Sequence, residues 1–568
     1  MIKHISPLSG IAAYQGKFVL SAGYDNQVIL WDADNREALA RGMHDHLANQ
    51  CAFSPGGSLC ASSSSDYSVR LWQLPSMRLQ TVMTTHDDDV EGIAFHPSRP
   101  WIATCSRDHT LCLFDLDGNL LQRFYGHSAD VISVAWQGDS DILLSSSDDG
   151  TIKRWDVRYG DILEDIDLGG IETDTIAITN EGVIYAGNDE GEVVVIAHKD
   201  KNTVKAHNAG IKRLVYDASQ DRLVSLSYDR QVKVWACSKA GIECMHTADL
   251  PAIVWPRSAT FLDQDNLVFV TFGSSYAEYN IETAEWTLDH IEPTLGVNAV
   301  CEYKGDLYTI GDAGVVHCNN KLVRTLPSLC NFFTPMGDAL ITGGQTGQVF
   351  DAISGECIYQ HRSPLNCGAA FMRNGEEHVV VGTYTGEGLI FKRDAQGAIA
   401  LIESLKLHEN AIKGICVNSE QIFSVCADAS AAFTRISDFE RAHYVEQAHD
   451  MIANGCASAE NGNFVSVSRD LKLRIWNGIA MEVIDTPNEN SIKCVTISAD
   501  GKYVVTGNYA GFIGVYERDS GVWLQWYHPS YAGISSLSRT PKGDFLASSY
   551  DGKTHFLAAE SLIKRKAV

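Results

Sequence analysis

Residues 127–156 read HSADVISVAWQGDSDILLSSSDDGTIKRWD. In this stretch His127 lies 22 residues before Asp149, and Asp149 lies six residues before Trp155. Two runs with the alternating apolar pattern of β-strands precede Asp149, and a third follows it. The same spacings return along the chain, in His44–Asp66–Trp72, His86–Asp108–Phe114 and His207–Asp229–Trp235, with Asp25–Trp31 as a shorter example. A fixed period of this kind indicates a repeat architecture.

The length of the repeat predicts the fold. Successive aspartates are 41, 42 and 41 residues apart, from Asp25 to Asp66, Asp108 and Asp149, which is the length of one four-stranded propeller blade. A chain of 568 residues holds about fourteen such units, more than one ring accommodates. We therefore predict an all-β fold of two tandem seven-bladed propellers, the first over residues 1–289 and the second, more degenerate, over residues 290–568.

The degenerate blades are placed by position. The residues that stand where a complete repeat has its aspartate are Glu190 and Gly273 in the first half and Gly344, Thr385, Asp428, Asp470, Ala510 and Asp551 in the second. Two segments, residues 1–5 and residues 561–568, are both candidates for an outer strand that closes a ring.

The repeats resemble the WD-repeat family. Gly126-His127 and Trp155-Asp156 frame one blade as that family writes it, and Trp31-Asp32 ends another. The resemblance covers nearly the whole chain and is weakest over residues 237–400. In architecture alone the chain is similar to the double-propeller actin-interacting proteins.

The resemblance implies a structural relay inside each complete blade, in which His, Ser, Asp and Trp are joined by hydrogen bonds. Carried over by position, the relays are His44, Ser64, Asp66 and Trp72; His127, Ser147, Asp149 and Trp155; His207, Ser227, Asp229 and Trp235; and His449, Ser468, Asp470 and Trp476. A His–Ser–Asp set is also the composition of a catalytic triad, but recurrence in blade after blade favours a structural role.

The resemblance also implies a partner-binding face. In WD-repeat proteins the residue before the structural aspartate lies in a tight turn on the narrower face of the ring. The residues at these positions that we predict to bind a partner are Tyr24, Arg107, Asp148, Tyr228, Tyr384, Arg469, Tyr509 and Tyr550. Tyr and Arg are enriched at binding hot spots, although both are also simply suitable turn residues.

The charge of the chain limits its partners. The formal net charge is −26; residues 1–290 hold 22 Lys and Arg against 41 Asp and Glu (−19), and the remainder holds 23 against 30 (−7). Such a field repels phosphate backbones, so we predict no nucleic-acid partner. The acidic stretches at residues 87–89 and 161–172 suit a basic partner, or serve only as a solvated surface.

Other classes of site lack a signal in the sequence. No apolar run approaches the length of a membrane span and no secretory leader is evident, so we predict a cytoplasmic protein without membrane contact. The fifteen cysteines include no CxxC pair, which favours free thiols. His44-Asp45-His46 is a weak metal candidate because His44 belongs to the repeat, and no motif for a cofactor is found, so we predict neither metal nor cofactor.

The pattern as a whole favours a non-enzymatic scaffold that docks protein or peptide partners on the top faces of two propellers. The alternative is an enzyme or small-molecule binder that uses a central channel. The sequence does not indicate the oligomeric state.

Overall fold

The computed structural model describes residues 2–197, 200–238 and 241–563. The chain divides into two compact units, of which the first ends at Thr294 and the second begins at Leu295. This division falls a few residues after the boundary expected from the sequence, because the segment before it pairs with the first unit. The Ser274 amide donates to the Glu292 carbonyl at 2.8 Å, and the Thr294 amide donates to the Phe272 carbonyl at 3.2 Å.

The first unit contains seven antiparallel sheets of four consecutive strands, blades 1 to 7. Blades 1 to 4 are formed by β1 Leu8–Tyr14, β2 Phe18–Gly23, β3 Gln27–Asp32, β4 Glu37–Met43, β5 Ala48–Phe53, β6 Leu59–Ser64, β7 Val69–Gln73, β8 Arg78–Met83, β9 Val90–Phe95, β10 Trp101–Ser106, β11 Thr110–Asp115, β12 Leu120–Tyr125, β13 Val131–Trp136, β14 Ile142–Ser147, β15 Thr151–Asp156 and β16 Asp161–Asp167. Blades 5 to 7 are formed by β17 Thr175–Ile178, β18 Ile184–Gly187, β19 Glu192–Ala197, β20 Asp200–Lys205, β21 Ile211–Asp217, β22 Arg222–Ser227, β23 Gln231–Ser238, β24 Gly241–Asp249, β25 Val254–Phe261, β26 Asn266–Thr271, β27 Ala277–Asn280 and β28 Glu285–Thr287.

The second unit contains blades 8 to 14, of which the last has three strands within the described residues. Blades 8 to 11 are formed by β29 Val297–Tyr303, β30 Asp306–Gly311, β31 Val315–Cys318, β32 Lys321–Thr325, β33 Thr334–Met336, β34 Ala339–Gly343, β35 Gln348–Asp351, β36 Cys357–Gln360, β37 Leu365–Arg373, β38 Glu376–Thr383, β39 Glu387–Arg393, β40 Ile399–Lys406, β41 Ile412–Val417, β42 Gln421–Cys426, β43 Ala431–Arg435 and β44 Arg441–Val445. Blades 12 to 14 are formed by β45 Ala453–Ser458, β46 Phe464–Ser468, β47 Lys472–Asn477, β48 Ala480–Asp485, β49 Ile492–Ile497, β50 Tyr503–Asn508, β51 Ile513–Glu517, β52 Val522–Tyr527, β53 Ile534–Arg539, β54 Phe545–Ser549 and β55 Thr554–Leu557, followed by the short helix α1 Ala559–Ile563.

The apolar core lies between neighbouring blades. Leu71 of blade 2, for example, packs in one buried cluster with Val90, Ile102 and Phe114 of blade 3. The middle strands are therefore apolar on both faces, whereas outer strands such as β20 are largely exposed. This arrangement needs a neighbour on each side of every sheet, and a closed ring supplies it.

Both rings close through their inner strands. In the first unit β1 lies against β25, and in the second β29 lies against β53. The predicted fold class, two tandem seven-bladed propellers, is confirmed. Residues 2–5 form no strand; the His4 amide instead donates to the Ser274 carbonyl of blade 7 at 3.0 Å. Of the other candidate closing segment, residues 561–563 belong to α1 and residues 564–568 lie outside the described residues.

All fifteen cysteines are free thiols. Within the described ranges, no helix has the length and apolar character required to cross a membrane.

Candidate binding faces and the relays that support them

Blade 4 shows the relay in full. His127 Nδ1 lies 2.8 Å from Asp149 Oδ2, and His127 Nε2 lies 2.7 Å from Ser145 Oγ. Trp155 Nε1 donates to the same Ser145 oxygen at 2.9 Å. The four side chains connect the loop before β13, strand β14, the turn after β14 and strand β15. The relay therefore fixes the turn that carries Asp148.

The serine of the relay differs from the one expected. Ser145, not Ser147, joins the histidine to the tryptophan, while Ser147 Oγ accepts the Asp149 amide at 3.1 Å and donates to the Ala129 carbonyl at 3.2 Å. The same correction applies to Ser64, Ser227 and Ser468, which cap their turns, whereas Ser62, Ser225 and Ser466 bond the tryptophans. A constant spacing of ten residues between serine and tryptophan marks the relay serine.

Two blades outside the four expected sets also contain relay contacts. In blade 1, His4 contacts Asp25 at 3.0 Å and Ser21 at 2.8 Å, and Trp31 donates to Ser21 at 2.7 Å. In blade 3 a threonine takes the place of the serine, because His86 lies 2.8 Å from both Thr104 Oγ1 and Asp108 Oδ2. The relay set expected in the second ring departs from the pattern. His449 contacts Ser466 at 3.0 Å, but Asp470 pairs with Arg474 at 2.6 Å, and His449 Nδ1 has no hydrogen-bond partner among the described residues.

The relay aspartates are ionised acceptors. Burial alone would raise the pKa of Asp149, but hydrogen bonds from His127, Thr151 and the Ser128 amide outweigh it and hold that pKa well below its usual range. An acid that stays ionised and is shared among fixed donors supports the turn and has no free position for a substrate.

Within the described part of the chain, one group of three side chains could hold a metal. The candidate ligand atoms of His408, Cys426 and Asp428 in blade 11 all lie within 4.8 Å of one another. His408 already bonds Ser430 Oγ at 2.7 Å and Ser424 Oγ at 2.8 Å, as a relay histidine does. Burial raises the pKa of Cys426 well above its usual value, which keeps the thiol protonated. We therefore interpret the group as a variant relay.

A recurring clip connects neighbouring blades. Many of the inner strands carry a one-residue bulge near their start, and in several blades the side chain at this position donates to a backbone carbonyl at the start of the next inner strand. The pairs in which a bulged asparagine does so are Asn49 to Val90 (3.1 Å), Asn298 to Cys330 (3.1 Å), Asn331 to Leu365 (2.9 Å), Asn366 to Ile412 (2.9 Å) and Asn454 to Ile492 (2.7 Å). Ser9 and Ser535 donate in the same way to Ala48 and Val297.

In the first ring, charged residues replace the clip in blades 3 and 6. The bulged Glu91 accepts from Arg107 Nε at 2.6 Å, and Arg107 Nη1 also binds Asp130 at 2.5 Å. The bulged Lys212 pairs with Asp174 and, at 2.7 Å, with Asp189. Sequence analysis found Arg107 but missed Glu91 and Lys212; in both blades the bulged residue precedes the turn residue, Arg107 or Tyr228, by sixteen positions, which is a usable signal.

Negative charge is in excess at this face. Burial raises the pKa of Asp148 well above its usual range, and Asp174 and Glu172 raise it further. Burial, with Asp189 and Asp174 close by, raises the pKa of Glu172 to about 8, although Lys212 opposes the shift. We call the set Glu91, Asp130, Asp148, Glu172, Asp174 and Asp189 the acidic face.

Aromatic residues adjoin the acidic face. Tyr24 meets Trp255 edge to face at 5.3 Å, and Trp255 stacks on Phe272 at 5.4 Å. Arg257 lies over the Tyr24 and Trp255 rings at 5.8 and 5.3 Å and reaches Glu91 at 3.7 Å. Across the face, Lys212 lies 5.0 Å from the Tyr228 ring centre.

The eight residues expected to bind a partner all lie in turns between the second and third strands of their blades. In the second ring, Tyr384 lies beneath Lys413, whose Nζ is 4.6 Å from the ring centre, and Tyr509 stacks on Tyr550 at 6.5 Å. Arg469 donates its amide to the Ile452 carbonyl at 3.1 Å. All four side chains in these turns are partly exposed.

Comparison with known protein families gives four matches. The model described as "WD domain, G-beta repeat" matches residues 41–73, 77–115, 118–156 and 198–236. The first unit therefore carries four WD repeats. The matched segments fall in blades 2, 3, 4 and 6, where the relays hold the expected spacing, and the family model matches no segment of the second ring.

Known relatives are also WD-repeat proteins. The chain is 24% identical to the transcriptional corepressor LEUNIG_HOMOLOG of Arabidopsis thaliana over 39% of its own length and 34% of the relative's. It is 26% identical to the target of rapamycin complex subunit wat1 of Schizosaccharomyces pombe, over 38% and 74%. It is 28% identical to the nuclear distribution protein PAC1 of Arthroderma benhamiae, over 39% and 57%. The chain thus spans about a third of the first relative and just over half of the third.

Proposed function

We propose that this WD-repeat chain is a non-enzymatic scaffold whose first ring docks a basic segment of a protein partner on its acidic face. The observation that carries the proposal is the excess of carboxylates there. Among the described residues, the six acidic side chains meet two arginines and one lysine, Arg107, Arg257 and Lys212, and His109 lies 3.7 Å from Asp130. Two of the acids, Asp148 and Glu172, have pKa values raised by burial and by their acidic neighbours, so a cation brought to them would be stabilised.

The surroundings suit the side chain of a lysine or arginine. The partly exposed rings of Tyr24 and Tyr228 lie at this face, each already in cation–π contact with a basic side chain of the chain itself, Arg257 and Lys212 respectively, and their edges can pack against the aliphatic stem of a further cation. The sites are partly buried, so an ion pair formed there is screened less than one on an open surface. The relatives support a scaffold role, since one is named a corepressor and another a complex subunit.

Removing carboxyl groups from the acidic face should raise the Kd for a basic peptide at least tenfold. The variant is Asp148→Asn, Glu172→Gln and Asp174→Asn together in the full chain, which keeps side-chain shape and removes three carboxyl groups that can ionise when a cation binds. Binding is measured by fluorescence anisotropy with a labelled peptide that alternates Arg and Lys with Gly and Ser. The loss of these three groups as ionised partners of the peptide accounts for the expected change, and each tenfold step in Kd corresponds to about 1.4 kcal/mol.

The matched control removes three exposed carboxylates from outer strands of the same ring, Asp161→Asn, Asp200→Asn and Glu243→Gln. We expect it to bind within about twofold of the wild type. Equal weakening in both triple variants would show that the peptide senses only net charge, and the acidic face would then not be the docking site.

A further inference from the structure

Within its described residues, the second ring replaces the inter-blade clip at two positions. Blades 8, 9, 10 and 12 carry a bulged asparagine and blade 14 a bulged serine, and each of these side chains donates to the next blade. Blades 11 and 13 instead carry Lys413 and Lys493 at the bulge. Each lysine takes the position of the clip residue and places an ammonium group beside a turn tyrosine.

The two lysines and three tyrosines converge. Lys413 Nζ lies 4.6 Å from the centre of the Tyr384 ring, and Lys493 Nζ lies 6.0 Å from that of Tyr509. Tyr509 raises the pKa of Lys493 most, burial opposes the shift, and Tyr550 and Tyr384 add to it. Burial raises the pKa of the Cys367 thiol in blade 10, and both ammonium groups are close enough to oppose that shift.

No ion pair joins Lys493 to a carboxylate of the described residues. The groups that raise its pKa include the side chains of Tyr509, Tyr550 and Tyr384, and no carboxylate is among them. Its side chain is only partly exposed, so water replaces a partner incompletely. Asp312, whose charge acts on Tyr550, accepts a hydrogen bond from Asn298 Nδ2 at 3.0 Å. A cation in this position is complementary to an incoming carboxylate.

The tyrosines are held in place. Tyr509 and Tyr550 are nearly parallel, with an interplanar angle of 13° and ring centres 6.5 Å apart. Gly533 allows this packing, because a Cβ at that residue would lie 2.9 Å from the Tyr509 carbonyl and 3.2 Å from Tyr550. Rigid rings beside an ammonium group form a preorganised surface with hydroxyl donors.

We propose that the turn face of the second ring, formed by Tyr384, Lys413, Lys493, Tyr509 and Tyr550, docks an acidic peptide segment through its Asp and Glu carboxylates. This face is separate from the acidic face and has the opposite sign, so the two rings recognise partners of opposite charge. A nucleic acid is the less favoured anion, because the residues from 291 onward still carry a net charge of −7 within a chain of −26.

The test uses the full chain and a labelled peptide that alternates Asp and Glu with Gly and Ser, followed by fluorescence anisotropy. We expect the wild type to bind this peptide. The double variant Lys413→Gln with Lys493→Gln should have a Kd at least tenfold higher. The control, Lys321→Gln with Lys542→Gln, removes two exposed lysines from the same ring and should bind within about twofold of the wild type.

A second variant tests the proposal independently, in case the double lysine variant does not fold. Tyr509→Phe with Tyr550→Phe keeps the stacked rings and removes only the hydroxyls, and we expect several-fold weaker binding. Absence of wild-type binding, or equal binding by both lysine variants, overturns the proposal, and so does tighter binding of a single-stranded RNA of equal charge. The neutralised acidic-face triple should retain the acidic peptide, so a failure of one face is distinguishable from a failure of the other.

Discussion

Replacing Trp155 by alanine should lower the free energy of unfolding by about 3–5 kcal/mol, the range for truncation of a buried aromatic residue. The indole is 0% exposed, packs edge to face on Phe124 at 5.6 Å and donates to Ser145. Alanine leaves a cavity between blades 3 and 4 and deprives Ser145 of its donor. Urea denaturation of the full chain, followed by circular dichroism, measures the change.

Tyr125→Ala is the matched control, because this tyrosine is 68% exposed on the outer strand β12. We expect it to change the free energy of unfolding by no more than about 0.5 kcal/mol. Similar stabilities for the two variants would contradict the structural role assigned to the relay. A double-mutant cycle then identifies the serine: Trp155→Phe should couple to Ser145→Ala by about 1 kcal/mol and to Ser147→Ala hardly at all.

Glu172→Gln should stabilise the first ring at pH 8 and have little effect at pH 5. The pKa of Glu172 is raised to about 8 in the folded chain, so between about pH 4.5 and 8 the folded state holds a proton that the unfolded state has lost. Stability contributed by this group is therefore full at low pH and is lost as the pH rises towards 8. The gain at pH 8 is on the order of a few kcal/mol, since each unit of pKa difference corresponds to about 1.4 kcal/mol.

Thermal denaturation of both chains from pH 5 to pH 8.5 measures this difference. The groups that face Glu172 are Asp189, Asp174 and Lys212, so the glutamine variant retains the rest of the acidic face. Asp161→Asn, on an exposed outer strand, controls for the loss of one negative charge. A glutamine variant that is less stable than the wild type at pH 8 would show that Glu172 is ionised and favourably paired in the folded protein.

The regular spacing of His, Asp and Trp was sufficient to predict the fold, because each spacing fixes one blade. It was not sufficient to identify the relay serine. Ser145 and Ser147 lie two residues apart on β14 and so point to the same face of the sheet. Both of their spacings to Trp155, ten and eight residues, recur in the other complete blades, so spacing alone does not choose between them. Only the hydrogen bond from Trp155 shows which hydroxyl completes the relay.

The candidate faces were partly predictable for a similar reason. Turn residues such as Tyr228 and Tyr509 were found because they precede a position fixed by the repeat. Lys212 and Lys493 were missed because each occupies a one-residue bulge, which breaks the alternation that strand patterns rely on. The ion pair of Asp470 with Arg474 was also not predictable, because the spacing of His449 and Asp470 favours a relay and only the folded structure shows the arginine beside the carboxylate.

Site-specific photo-crosslinking tests the central claim, that the two turn faces bind partners of opposite charge, most directly. Benzoylphenylalanine is placed in the full chain at Tyr228 of the first ring, at Tyr384 of the second, or at the exposed Tyr125 as a control. Each chain is irradiated with the basic or the acidic peptide, and the products are identified by mass spectrometry. We predict that the basic peptide labels position 228 only and the acidic peptide position 384 only. Equal labelling at all three positions, or the reversed preference, would contradict the account.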